Sequence, residues 1–187
     1  MKTSTPSVSP YRVPIFSGQF MLGLYGTLLI ALFQIITSGN LQAQDVTNKI
    51  TPSPAAIYQD FGSAVAVAPQ VIVVGAPGDA SNKGAAYLYE LENGTWMARP
   101  KITAPDGANG DKFGTSVAVY NGMLAVGAPG VTSNTGAVYL YLKSGTNWVF
   151  AKKLIPPGIP GDLFGASVAL VDGVVAVGAP GDNTKGN

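Results

Sequence analysis

The chain has 187 residues, with 11 basic and 10 acidic side chains, 47% hydrophobic content, 11% charged content, 24 Gly and 14 Pro. A net charge of +1 argues against a nucleic-acid binder. The absence of His and Cys excludes a Ser-His-Asp triad, imidazole or thiolate zinc sites, thiol nucleophiles and disulfides.

Residues 20–36 (FMLGLYGTLLIALFQII) are almost wholly apolar, follow Lys2 and Arg12, and precede the first acidic residue, Asp45. That order is expected of a secretory signal peptide over residues 1–43, with cleavage after Ala43. An uncleaved membrane anchor is the competing reading, although Gly23, Gly26, Thr27 and Gln34 interrupt a run already at the short limit of about 17 apolar residues. On either reading residues 44–187 are exported, and a secreted or cell-surface location is expected. They carry 9 basic and 10 acidic residues, so no electrostatic partner is implied.

Residues 44–187 repeat. Phe61-Gly62, Phe113-Gly114 and Phe164-Gly165 recur at intervals of 52 and 51. Gly75-Ala76-Pro77, Gly127-Ala128-Pro129 and Gly178-Ala179-Pro180 keep the same intervals. Trp96 matches Trp148, and Lys49-Ile50, Lys101-Ile102 and Lys153-Leu154 stay in register. The organisation expected is a lead-in over 44–60 holding the outer strand of a preceding unit, repeats over 61–112 and 113–163, and a truncated third over 164–187.

Each unit is expected to hold four strands. The first alternates (115–119, 166–170) and ends at Asn121-Gly122 or Asp172-Gly173, dipeptides that suit a type I′ hairpin. The second is a continuous apolar run (71–74, 123–126, 174–177), which suits a strand covered on both faces and stops at Gly-Ala-Pro. The third spans 85–90 or 137–142, and the fourth surrounds 96–102 or 148–155. Small residues fill the first two strands, while Tyr and Trp appear in the outer two. That gradient matches the taper of a β-propeller blade. The expected fold is all-β, an incomplete propeller of about two and a half four-stranded antiparallel blades. Residues 44–187 alone are expected to self-associate through exposed apolar edges, and a longer natural product is expected.

Phe-Gly, a strand and Gly-Ala-Pro resemble the FG-GAP repeat of integrin alpha chains, in the short form found in exported microbial proteins. The resemblance covers residues 49–187 and implies a propeller that binds protein or carbohydrate. Calcium-binding integrin blades carry an Asp-rich loop between the first two strands. Here that place holds Ala68-Pro69-Gln70, Tyr120-Asn121-Gly122 and Val171-Asp172-Gly173, at most one carboxylate each, so no cofactor is expected there.

Asp79 and Asp182, after Gly-Ala-Pro, are the remaining candidates for a cation. Val131 at the matching place in the middle repeat favours a turn-shaping role instead. Asp111 and Asp162, two residues before Phe-Gly, are expected to close turns rather than to form a carboxylate ring. Lys83, between Asn82 and Gly84, does not complete a phosphate loop. The repeated Tyr and Trp residues are expected to pack blades rather than bind sugar, and Asn93-Gly94-Thr95 is a glycosylation sequon on a turn. The function expected is a non-catalytic binding or adhesion module, with no catalytic residues. The alternatives are an accessory propeller of a larger exported hydrolase and a purely structural surface protein.

Overall fold

The computed structural model describes residues 50–52 and 59–183. The expected targeting segment lies outside the described residues, among which no helix is long and apolar enough to cross a membrane. Two four-stranded antiparallel sheets and one two-stranded sheet follow one another along the chain. Blade 1 comprises β1 (Ala64–Ala68), β2 (Val71–Ala76), β3 (Ala85–Glu92) and β4 (Thr95–Ala98). Blade 2 comprises β5 (Ser116–Tyr120), β6 (Met123–Ala128), β7 (Ala137–Ser144) and β8 (Asn147–Leu154). The third blade has β9 (Ser167–Val171) and β10 (Val174–Gly178). The architecture is thus an incomplete β-propeller, with β1, β5 and β9 side by side.

The internal repeat is carried into register. Ala64 faces Gly75, Ser116 faces Gly127 and Ser167 faces Gly178. The Asn-Gly and Asp-Gly turns have φ of 42° and 74° at Asn121 and Gly122, and 44° and 77° at Asp172 and Gly173. Positive φ at both central positions is what a type I′ hairpin requires. Asn93 and Gly94, between β3 and β4, repeat it at 49° and 79°.

The core runs between the blades. Val73, Leu88, Phe113, Leu124, Val126 and Tyr139 are all essentially inaccessible, and all six belong to one cluster shared by blades 1 and 2. Phe113 sits edge-on to Tyr139 and Tyr141, and Phe61 takes the same pose on Tyr87. The continuous apolar runs of β2 and β6 are covered on both faces, whereas β10 is partly exposed along its length.

The outer strands of the two blades differ at one point. In blade 2, β8 runs unbroken to Leu154 with a register shift opposite Leu140 and Tyr141. In blade 1, β4 stops at Ala98, Arg99 N–H still donates to the Leu88 carbonyl at 2.9 Å, and Ile102 then exchanges two 2.8 Å bonds with Ala86. Pro100 lies in that gap and has no N–H for the ladder. Its counterpart in blade 2 is Lys152.

Candidate functional site

The repeated motif residues form the joints between blades. Phe113 N–H donates to the Lys83 carbonyl and Phe164 N–H to the Thr135 carbonyl, both at 3.0 Å. Gly75, of the first Gly-Ala-Pro, lies against Gly114 of the second Phe-Gly, and Gly127 lies against Gly165 in the same way. A Cβ on Gly75 or Gly127 would run into the backbone carbonyl opposite. Ser116 Oγ completes the second joint by donating to the Gly165 carbonyl at 2.7 Å. Ala76, Pro77, Ala128 and Pro129 lead from these glycines into the loops before the third strands. Phe61 and Gly62 stand at the outer face of blade 1, where nothing lies within 4 Å of Gly62 in the Cβ direction. Gly178, Ala179 and Pro180 hold the corresponding place at the end of β10.

Between Gly-Ala-Pro and the third strand, each whole blade makes one left-handed turn. Ala80, Ser81 and Asn82 have φ of 50°, 62° and 62°, and Thr132, Ser133 and Asn134 have 49°, 56° and 66°. The turn aims the Asn82 carbonyl at the N–H groups of Gly110 and Lys112, at 3.1 and 2.9 Å. The Asn134 carbonyl likewise accepts from Leu163 N–H at 2.8 Å.

Asp79 begins the first of these turns and is buried. Its Oδ2 accepts from Tyr87 Oη and Lys101 Nζ, both at 2.7 Å. Lys101 also lies 5.6 Å from the centre of the Tyr87 ring. Burial and the hydrogen bond to Asp79 push the Tyr87 phenol well above its usual range. Blade 2 builds the same trio with a different aspartate. Tyr139 Oη and Lys153 Nζ converge on Asp106 at 2.8 and 2.6 Å, and the Lys153 hydrogen bond holds the Asp106 carboxyl below its usual range. Asp106 comes from the inter-blade link, not from the turn, where Val131 is buried instead.

Asp79 therefore serves as a buried counterion to a lysine and a tyrosine, a role that a turn-shaping reading does not anticipate. Asp182 occupies the corresponding place in the third blade. Asp111 and Asp162 accept from the N–H groups of Ala108 and Ile159, three residues earlier, at 2.7 and 2.8 Å. Where the calcium-binding form carries its acidic loop, Tyr120 Oη donates to Asp172 at 2.8 Å across blades 2 and 3. No group of three or more acidic side chains with metal-holding geometry occurs among the described residues. We expect the melting temperature to be the same, within about 2 °C, in calcium and in excess chelator. A drop of many degrees on chelation would establish a structural ion.

A second cluster joins the outer edges of blades 1 and 2. Glu90 on β3 is buried, and its carboxylate accepts from Lys143 Nζ at 2.9 Å, Arg99 Nε at 3.2 Å and Trp148 Nε1 at 3.3 Å. Arg99 reaches Glu92 with its other arm. Burial alone would raise the Glu90 carboxyl. The hydrogen bond and charge of Lys143, with help from Arg99 and Trp148, instead hold it below its ordinary 4.5.

The stability Glu90 contributes is then fully present above the unfolded value near 4.5 and is lost as pH falls through the lower folded value. Glu90→Gln should cost about 2 kcal/mol at neutral pH, less than a fully buried pair because Lys143 keeps access to water. It should also flatten the acid limb of stability against pH. An unchanged acid limb would show that the cluster contributes no linkage.

Arg99 and Trp148 of this cluster line a cleft of about 240 Å³ between the break in the outer strand, Arg99–Ile102, and the β7–β8 turn with its following tryptophan, Thr146–Trp148. Lys101 recurs as Lys153, but the four charged residues of the Glu90 cluster occur once. At the positions of Glu90, Glu92 and Arg99, blade 2 has Leu142, Ser144 and Ala151, and at that of Lys143 blade 1 has Leu91. The cluster is not legible in the periodicity, because Trp148 reads as one more repeated aromatic. The signal available was the set of positions where otherwise matching repeats disagree.

A family model described as FG-GAP repeat matches residues 45–89, 96–141 and 148–187. No curated protein matches the chain.

Proposed function

Since the chain belongs to the FG-GAP repeat family, we propose that it is an exported, non-catalytic propeller module that binds a partner outside the cell or at its surface. The observation that carries this reading is the cleft between blades 1 and 2, which shares Arg99 and Trp148 with the Glu90 cluster, whose four charged residues depart from the internal repeat. Residues that recur are used in joints and cores, whereas Glu92, Arg99 and Lys143 break the pattern together at one place and keep part of their side chains exposed there. Export is supported by the apolar run at residues 20–36 after Lys2 and Arg12. Every buried carboxylate among the described residues is engaged with a backbone N–H, a tyrosine, a lysine or an arginine, which supports a scaffold rather than a catalytic pair.

The test has two arms. Antibody labelling of intact cells producing the full chain should detect residues 44–187 at the surface or in the medium. The purified chain should retain glycans or extracellular proteins on arrays. Retention of the chain inside the cell, or empty arrays of both kinds, would overturn the proposal.

A further inference from the structure

We infer that the cleft between blades 1 and 2 is a binding site for a single neutral sugar ring, such as the terminal hexose of a glycan. This inference rests on the binding-module reading and names the ligand class of its site.

Three features of the cleft point to that chemistry. The first is its size. At about 240 Å³ it falls below the ~300–1,000 Å³ of pockets for drug-sized molecules, and it suits one six-membered ring with its substituents.

The second is its charge. Its two charged wall residues, Arg99 and Lys101, and the neighbouring Lys143 are matched by Glu90, Glu92 and Asp79 through four ion pairs. With three cations balanced by three carboxylates, the site gives no net attraction to a phosphate, a sulfate or an acidic sugar.

The third is the makeup of its walls. Trp148 and Pro100 supply flat apolar surface, while Arg99, Thr146 and Asn147 bring polar groups to its edge. A pyranose has the matching division, with axial C–H groups on one face and hydroxyls around the perimeter. Hydroxyls both donate and accept, so a rim that offers guanidinium and lysine donors together with amide and hydroxyl groups serves them better than it serves a charged or purely apolar ligand.

The walls are also held in place. Glu90 accepts from Trp148 Nε1 and from Arg99 Nε at once, so one buried carboxylate orients both the aromatic wall and the guanidinium. Pre-organisation of this kind lowers the ordering cost of binding. Pro100 interrupts the outer strand of blade 1 at the cleft, where blade 2 has Lys152 within β8.

The experiment uses the full chain carrying Trp96→Phe, so that Trp148 is the only indole. Its emission would be titrated with the methyl glycosides of glucose, galactose, mannose and N-acetylglucosamine, and with glucuronic acid and glucose 6-phosphate for comparison. A saturable change with at least one neutral glycoside, absent or much weaker with the acidic sugars, is expected. Thr146→Ala with Asn147→Ala lies on an exposed turn and should leave folding unchanged while weakening that response about tenfold, by removing two polar partners.

No response to any neutral glycoside would overturn the inference. A response that survives the double substitution would place the sugar elsewhere and also overturn it. Array binding to proteins or acidic glycans without a Trp148 response would sink the sugar assignment while leaving the binding-module reading intact.

Discussion

Gly114→Ala should destabilise the protein far more than Gly62→Ala, although both glycines hold the same place in the Phe-Gly motif. Their φ angles are 90° and 97°, so a methyl group meets the same backbone penalty at both, about 1 kcal/mol. Only Gly114 is enclosed. A Cβ there would collide with the Ala85 carbonyl and come within 3.1 Å of the Ala76 nitrogen, both part of blade 1. Backbone atoms cannot swing aside as a side chain can, so blade 2 must back away from blade 1. That should raise the total cost to about 3 kcal/mol or more. Urea denaturation of the two variants against the parent checks the difference. Equal losses would mean that the blades are not in backbone contact at the motif.

The second large effect is expected from Val126→Asp. Val126 is completely inaccessible in β6 and belongs to the cluster shared by blades 1 and 2. An unpaired charge in that position costs several kcal/mol, comparable with the whole stability of a domain. Loss of the cooperative melting transition is the expected result. Asn93→Ala is the control. Asn93 has φ of 49° in an exposed turn, so this change is expected to cost about 1 kcal/mol rather than nothing. If the two variants melt together, the assignment of β6 to the interior fails.

The parts of this fold that were legible in the sequence are those that depend on local chemistry and recur. Asn121-Gly122 and Asp172-Gly173 announce a tight hairpin because few dipeptides tolerate two positive φ values. The continuous runs at Val71–Ala76 and Met123–Ala128 announce strands with no solvent face. Phe-Gly and Gly-Ala-Pro mark the unit without revealing what they do, because the contact of Gly75 with Gly114 joins residues on different blades.

The polar networks were hidden for a different reason. Tyr87 and Tyr139 keep the same partners in kind, yet the aspartate moves from Asp79 in a turn to Asp106 in a link. Comparing the repeats shows only Asp79 against Val131 and Asp106 against Pro54, two apparent losses that are one exchange. The Glu90 cluster escaped because it is built from residues that do not recur, and periodicity is blind to those.

The left-handed turns bear on how such a chain acquires its structure. Three successive residues without the freedom of glycine hold positive φ at Ala80–Asn82, and three more do so at Thr132–Asn134. Each is unfavourable in isolation by about 1–2 kcal/mol. Bonds within each blade, from Gly84 N–H to the Asp79 carbonyl and from Gly136 N–H to the Val131 carbonyl, offset part of this, and the amides of Gly110, Lys112 and Leu163, in the links to the next blade, reach the Asn82 and Asn134 carbonyls. A solitary blade therefore holds its turn with only part of these bonds, and the link to its neighbour must dock to complete the set. Folding should spread along the array from one blade to the next, with little population of any single ordered blade and with coupling energy concentrated at the boundaries, as in other linear repeat arrays. Amide exchange should report this as matched protection of Lys112 and Leu163 with the strands that precede them, each boundary opening as one unit with the blade on either side.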